Sequence, residues 1–408
     1  DYLLHIHMAR GDDLHAIKYL PLKLKGPARH WLKSLPENTI GSWEELEDAF
    51  RANFQGTYVR PPDADDLSHI TQQPGESARK LWNRFLTKKN QIVDCPDAEA
   101  LAAFKHNVRD EWLASHKEEI VDPDRAIIDP HHHLWAYPDF GPYMLEQLWA
   151  DTESGHKVKK TIYIECGWGD DRDASEDLQS LGETKFLAAV AAEAAKSPSR
   201  PQIAGHIGHI NLKLPHVNDL LDRHLEASNG LLRGIRHHAA SETDEALLIR
   251  GHSPQHMLLD KDFQRGVKTL GDRGLTYESW NYHHQISEVT ELARACPDTV
   301  VIHDHFGTPL GVGGYAGKRE EIKAQWKKDI AELARCPNVR AKLGGFAMPD
   351  NGWNYQTLET PVSSDQFVAD QNEWYQFTIE QFGPERCMFE SNFPVDRASV
   401  SYRVLWNA

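Results

Sequence analysis

No stretch of this 408-residue chain approaches the roughly 20 consecutive apolar residues that a membrane-spanning helix needs, which excludes an integral helical membrane protein. Cysteine is scarce: Cys95, Cys166, Cys296, Cys336 and Cys387 lie far apart, with no C-x-x-C pair to build a zinc ribbon, a zinc knuckle or a redox motif. Isolated thiols suit a reducing compartment, so a soluble, cytoplasmic protein is expected. Positive charge is also in deficit. The net charge is −16; residues 1–117 carry 16 basic and 17 acidic side chains, so a net −15 falls on the rest. An acidic surface repels phosphate backbones, and nucleic acid is not an expected partner. The glycines of Gly307–Gly314 lack the Lys-Ser/Thr pair of a phosphate loop, which excludes that mode of nucleotide binding.

What is present points to two domains of different texture. An apolar content of 40% and an aromatic content of 9% are ordinary for globular proteins. Residues 1–117 read as helices joined by short connections. Ser42-Trp-Glu-Glu45 is a capping box opening a helix to Phe54, with Leu46, Phe50 and Phe54 at helical spacing. A second helix is expected from Glu76 to about Gln91 after Pro74-Gly75, a third from Asp97 to Val108, and a loop over residues 56–66.

After Lys117, short β-rich runs alternate with helical periodicity, the pattern of βα units on a parallel sheet. Eight runs are expected as strands: Ala126–Asp129, Thr161–Cys166, Gln202–Asn211, Leu231–His237, Leu275–Trp280, Thr299–His305, Val339–Gly344 and Cys387–Phe393. Eight is the number of a (β/α)8 barrel of the TIM type. Helices are expected between them, including Glu183–Lys196, Val289–Cys296, Ile322–Arg335 and Ser364–Phe382, the last closed by Gly383-Pro384. Little chain follows the eighth run, so the last helix is expected to be short or truncated. The fold class is thus α/β: a barrel over residues 118–408, preceded by a small all-α domain over residues 1–117.

Polar residues gather at or just beyond the expected C-terminal strand ends, the face on which barrel active sites are built. In an extended segment Asp129, His131 and His133 share one face, so two imidazoles about 7 Å apart in backbone rise can converge on one ion, while His132 points elsewhere. The sixth run places His303 and His305 on one face, and the fifth leads into His283-His284. Neutral imidazoles suit zinc, and such an ion lowers the pKa of bound water to about 7. The alternative is a histidine cluster that caps the barrel without metal. Arg236, Glu165 and Lys342 stand at positions from which a carboxylate-bearing substrate can be oriented, Arg236 by a bidentate guanidinium pairing; for each of the three, a salt bridge to a neighbouring strand is the structural alternative.

These segments carry a resemblance. Ile127 to Trp135 (IIDPHHHLW), Val301 to Pro309 (VIHDHFGTP), Val339 to Gly345 (VRAKLGG) and Cys387 to Asp396 (CMFESNFPVD) resemble the amidohydrolase-related family that includes 2-pyrone-4,6-dicarboxylate lactonase and L-fuconolactonase. The resemblance spans residues 120–408. It implies a barrel hydrolase acting on a lactone or related carbonyl compound, and a metal set of His131, His133, His283 and His305, with His303 and His284 as bystanders. Sugar-lactonase relatives end the eighth strand in a Ser-Asp-Trp-Pro type motif whose Asp activates water. This chain has Ser391-Asn392-Phe393-Pro394, and Asn392 cannot accept a proton as a carboxylate does. Asn392 is therefore placed among the substrate-binding residues. Asp396, His283 and His305 are the candidates for proton transfer, although Asp396 also fits as a helix cap. Some lactonases of this group resemble hydrolases that work without a tightly held metal, so zinc and metal-independent catalysis both stand.

Within residues 1–117, Gly26-Pro-Ala-Arg-His-Trp-Leu32, Ser42 to Phe50 and Asn53-Phe-Gln-Gly56 resemble the gag domain of plant Ty3-type retrotransposons. That resemblance implies a capsid-like module that self-associates, fused to the barrel. Three function classes follow: a hydrolase of a small-molecule lactone, a non-catalytic self-assembly protein carrying an inactive barrel, and a decarboxylase or hydratase on the same scaffold.

Overall fold

In a computed structural model of the chain, residues 112–408 are described except 138–140, 245, 246 and 248–252, together with residues 20, 31, 32, 34, 35, 39–54, 84, 85 and 87–89. The chain divides into two compact units, residues 1–62 and 63–408. In the first, helix α1 (Trp43–Phe54) begins where the capping box places it. Ser42 Oγ accepts the Glu45 N–H at 3.2 Å, and the Glu45 carboxylate accepts the Gly41 N–H at 2.7 Å, one residue earlier than in the standard box. The helices expected over 76–91 and 97–108 and the loop over 56–66 lie outside the described residues, except that residues 84, 85 and 87–89 are helical.

In the second unit all eight expected runs form strands: β1 (Ala126–His132), β2 (Lys157–Ile164), β3 (Gln202–Gly208), β4 (Leu232–Arg236), β5 (Thr276–Ser279), β6 (Val301–His303), β7 (Val339–Leu343) and β8 (Cys387–Phe389). They pair in parallel in sequence order, each with the next. The seam between β8 and β1 is drawn together by backbone hydrogen bonds just past the strand ends. His133 N–H donates to Phe393 O at 2.7 Å and Asn392 N–H to His131 O at 2.9 Å.

A helix follows each strand: α2 (Leu145–Thr152), α3 (Ser180–Ala194), α4 (Val217–Ala227), α5 (Lys261–Asp272), α6 (Ile286–Ala295), α7 (Arg319–Leu333), α8 (Ser364–Phe382) and α9 (Tyr402–Asn407). Alternation along the strands sorts side chains between the helix layer and the barrel axis. On β7, Val339, Ala341 and Leu343 join the outer core with Trp326 and Trp374, which sends Lys342 to the axis. On β5, Tyr277 packs outward and Glu278 inward. Helix α8 stops as expected: Gly383, at φ 79°, donates its N–H to Ile379 O, and Pro384 follows. The closing helix α9 is six residues long, and beside it α8, β1 and β8 frame a cavity of about 440 Å³ lined in part by Ile127, Phe367, Tyr375, Phe389 and Trp406. Among the described residues no helix is long and apolar enough to cross a membrane, and the four described cysteines are free thiols.

Candidate active site

Strand β1 departs from strict alternation. Its register against β2 shifts between Ile127 and Ile128 and again between Asp129 and His132, and the second irregularity re-aims the side chains around it. Asp129, expected on one face with His131 and His133, turns instead towards β8 and α9. Its Oδ1 accepts the N–H groups of Ser391 (3.0 Å) and His131 (3.3 Å), and its Oδ2 accepts the Tyr402 hydroxyl at 3.0 Å. Burial pushes this carboxyl up to about 6. Asp129 is a clamp that fixes the backbone of the site. His132 points away as expected and lies buried against Tyr163, and burial holds it neutral, down to about 3.

The sixth strand also differs from expectation. Strand β6 ends at His303, and His305, Phe306, Gly307 and Thr308 then take positive φ values of 56°, 58°, 70° and 42°. Period-two alternation stops there, so His303 and His305 do not share a face: His303 packs beside Gly307, whereas His305 reaches the axis. Glycine at 345 makes room for it. A Cβ at Gly345, whose φ is 61°, would fall 2.0 Å from His305 Nδ1. Gly345→Ala is therefore expected to displace His305 and to cost about 2–3 kcal/mol through left-handed strain plus the clash. Urea unfolding together with the imidazole NMR signals checks this; an unshifted His305 signal would refute the steric account.

At the axis, Arg236, Lys342 and His305 meet four carboxyl groups, the seven side chains coming from six strands. Arg236, on β4, gives Nε to Glu165 Oε1 at 2.6 Å and Nη2 to Glu165 O, while its Nη1 lies 3.8 Å from Asp304. Lys342 Nζ lies 2.6 Å from Glu278 Oε2, 3.3 Å from Asp304 Oδ1 and 3.8 Å from Glu390 Oε2. His305 Nδ1 meets Glu390 Oε1 at 2.6 Å. All these side chains are buried. Burial opposes the charge of Glu165, but the Arg236 guanidinium overcomes it and holds the carboxyl down at about 2. Burial likewise opposes charge on Asp304 and His305. Lys342 outweighs it for Asp304, which is lowered, and Glu390 outweighs it for His305, which is raised.

The imidazoles join this network. His131 Nδ1 lies 3.1 Å from Lys342 Nζ and 2.9 Å from Glu390 Oε2, and its Nε2 lies 3.2 Å from His133 Nε2 and 3.5 Å from Arg236 Nη1. The His133 proton sits on Nδ1, where it donates to Ile164 O at 2.9 Å. Burial, with Lys342 as the next cause for His131 and Arg236 for His133, keeps both imidazoles neutral.

The structure thus brings His131, His133, His305, Arg236, Glu165 and Lys342 together. His283 keeps other company: its ring meets His284 and Tyr315, and its Nδ1 accepts the Leu310 N–H at 3.4 Å. The glycine-rich segment before Tyr315 is fastened by Gly311 N–H to Asp350 O and by Gly314 N–H to Asp244, with Tyr315 bonded to Glu242. Asn392 gives its amide to Asp396 Oδ1 at 2.9 Å, and Ala347 N–H donates to Asp396 Oδ2 at 3.1 Å. Asp396 does not use its carboxylate as a helix cap. It lies buried within electrostatic reach of His305 and Glu390, and burial pushes it up to about 7.

Glu278, Asp304 and Glu390 are absent from the site read in the sequence. The signal was available for two: Glu278 alternates with outward Tyr277, and Glu390 directly follows the eighth strand. Asp304 was hidden by assigning His303 and His305 to the inner face.

Comparison with known proteins agrees with this architecture. The family model described as Amidohydrolase matches residues 128–408. The uncharacterized protein y4mH of Sinorhizobium fredii is 31% identical over 307 residues, which is 70% of this chain and 90% of y4mH. An L-fucono-1,5-lactonase of Burkholderia multivorans is 26% identical, covering 67% of this chain and 84% of its own. A solved amidohydrolase from Burkholderia multivorans, described with bound zinc, shares the fold at a TM-score of 0.53 and 23% identity, covering 69% of this chain and 89% of that one. With eight βα units in order, polar groups gathered at the strand ends and a family match running from β1 to the last residue, the chain belongs to the amidohydrolase family.

Proposed function

We propose that the barrel mouth hydrolyses a neutral, polyhydroxylated lactone. The observation that carries this reading is the cluster of His131, His133, His305 and Glu390 at the ends of β1, β6 and β8, with Asp396 beside it. Asp396, ionised above about 7, removes a proton from water as the water oxygen attacks the lactone carbonyl. Arg236 Nη1, the guanidinium nitrogen that Glu165 does not take, lies 3.5 Å from His131 Nε2 and serves as the hydrogen-bond donor to the developing oxyanion. Collapse of the tetrahedral adduct breaks the ring C–O bond, and protonated His305 gives its proton to the departing ring oxygen, leaving a hydroxy acid. His305 is 2% exposed and Asp396 0%, so the loops at the mouth must part for substrate to enter.

The charge pairing supports a neutral substrate. Arg236 and Lys342, expected to orient a substrate carboxylate, are already matched by Glu165, Glu278 and Asp304. A carboxylate entering this site would add a full negative charge beside cations that buried carboxylates already neutralise, at a cost of several kcal/mol. The L-fucono-1,5-lactonase relative fits a neutral substrate. A sugar 1,5-lactone is expected to exceed a dicarboxylate lactone by at least about 100-fold in kcat/KM. Equal rates would sink this substrate class, and release of CO2 or reversible hydration in the same assay would favour the decarboxylase or hydratase reading.

The expected zinc set does not fit as drawn. His283 lies among other partners, and the His131 and His133 Nε2 atoms share a hydrogen bond. Groups of three residues that could hold an ion exist, namely His131 with His305 and Glu390, and His131 with Glu278 and Asp304, but Lys342 reaches into the second. No step of this reading passes through a metal. For residues 1–117 the gag-like reading rests on its sequence motifs and on α1, and it makes self-association the property to measure by light scattering. A cytoplasmic location is in keeping with the free thiols.

A further inference from the structure

The ligand-type atoms of the axis converge on a side chain. Around Lys342 Nζ stand Glu278 Oε2 at 2.6 Å, His131 Nδ1 at 3.1 Å, Asp304 Oδ1 at 3.3 Å and Glu390 Oε2 at 3.8 Å. One imidazole and three carboxylates, drawn from the ends of four different strands, form a donor set that suits a borderline divalent cation. Ligand atoms of His131, Glu278 and Asp304 lie within 4.8 Å of one another. Neither Asp304 oxygen has a hydrogen bond among the described residues, so charge attraction alone holds them, and Glu390 Oε2 lies 2.9 Å from His131 Nδ1, the same atom that Lys342 approaches. Buried carboxylate oxygens without a directional partner belong in the coordination sphere of an ion. Here they face an ammonium group that is 1% exposed.

We propose that the Lys342 ammonium is the resident cation of this barrel and stands where a divalent metal ion would otherwise bind among His131, Glu278, Asp304 and Glu390. Its charge balances carboxylates that would repel one another in a buried space. A bound ion could take its place after a contraction of about 0.5–1.2 Å per near ligand, since metal bonds to nitrogen and oxygen are about 2.0–2.2 Å long. Rotation of the carboxylates supplies that distance. The inference is independent of which lactone, or which reaction, the mouth serves.

The test replaces the ammonium by space. Full-length Lys342→Ala is titrated with Co2+ and Zn2+ by calorimetry, and the Co2+ form is read by its visible d–d bands. One equivalent is expected to bind about 100-fold more tightly than to the wild type and to raise the melting temperature. Adding Asp304→Asn to Lys342→Ala should abolish the gain. Should Lys342→Ala fold only when Co2+ or Zn2+ is present, the ion has replaced the ammonium and the proposal stands. A folded Lys342→Ala that binds no more metal than the wild type overturns it. So does a variant that folds in neither condition, or a gain of binding that survives Asp304→Asn.

Discussion

Asp396→Asn is expected to lower kcat for lactone hydrolysis by about 10²–10⁴-fold while raising thermal stability at alkaline pH. Both effects come from one buried carboxyl. Burial lifts Asp396 from 3.8 to about 7, so the ionised base becomes available only as pH rises through that value. The wild-type rate should therefore climb along an acid limb near pH 7 and fall again where His305, itself raised by Glu390, loses the proton that the leaving oxygen needs. The sign for stability is opposite. Between about pH 4 and pH 7 the folded chain holds a proton that the unfolded chain releases, so ionisation of Asp396 takes stability away progressively through this window, and the loss is complete above it. Asparagine keeps an oxygen for the Ala347 N–H and removes the charge. A pH–rate profile and melting curves at pH 8 test the pair of expectations. An Asp396→Asn variant with near wild-type kcat would move the base role to a histidine, and a lower melting point at pH 8 would remove the strained-carboxylate account.

The second large effect lies at Asp129 and concerns folding. Asp129→Ala leaves the Ser391 and His131 N–H groups and the Tyr402 hydroxyl without their acceptor, all in buried surroundings. Losing several bonds to one buried carboxyl is expected to cost about 3–5 kcal/mol. Asp129→Asn retains an acceptor oxygen for the two N–H groups and should cost about 1–2 kcal/mol. Urea unfolding of the three proteins distinguishes these values; equal midpoints for wild type and Asp129→Ala would show that the clamp is dispensable. Because the clamp joins β1 to β8 and α9 across the barrel seam, its loss should also loosen the His131 backbone, which accepts the Asn392 N–H.

Much of the scaffold is legible in the sequence. Strand periodicity of two, helix periodicity of 3.6 and the punctuation of Gly383-Pro384 act over a few residues, and they located every strand of the barrel and the end of α8. The same local logic placed His131, His133, His305, Arg236 and Lys342 near the mouth. It failed where the chain departs from ideal geometry. The irregularity in β1 sends Asp129 to Tyr402, and the run of positive φ values after His303 gives the inner position to Asp304.

By itself, then, the sequence determined the order of the βα units and which strand ends carry imidazoles, because short-range periodicity encodes both. Only the tertiary structure decided what those groups do to one another. Glu165 meets Arg236 across 71 positions of chain, Glu278 meets Lys342 across 64, and Lys342 reaches His131 across 211. No local pattern records such pairings. They arise when closure of the barrel forces charges from distant strands into one buried space, where each must find an opposite charge or a hydrogen bond. That requirement turned two expected substrate-binding cations into internal partners and set Lys342 among imidazole and carboxylate atoms of the ligand type.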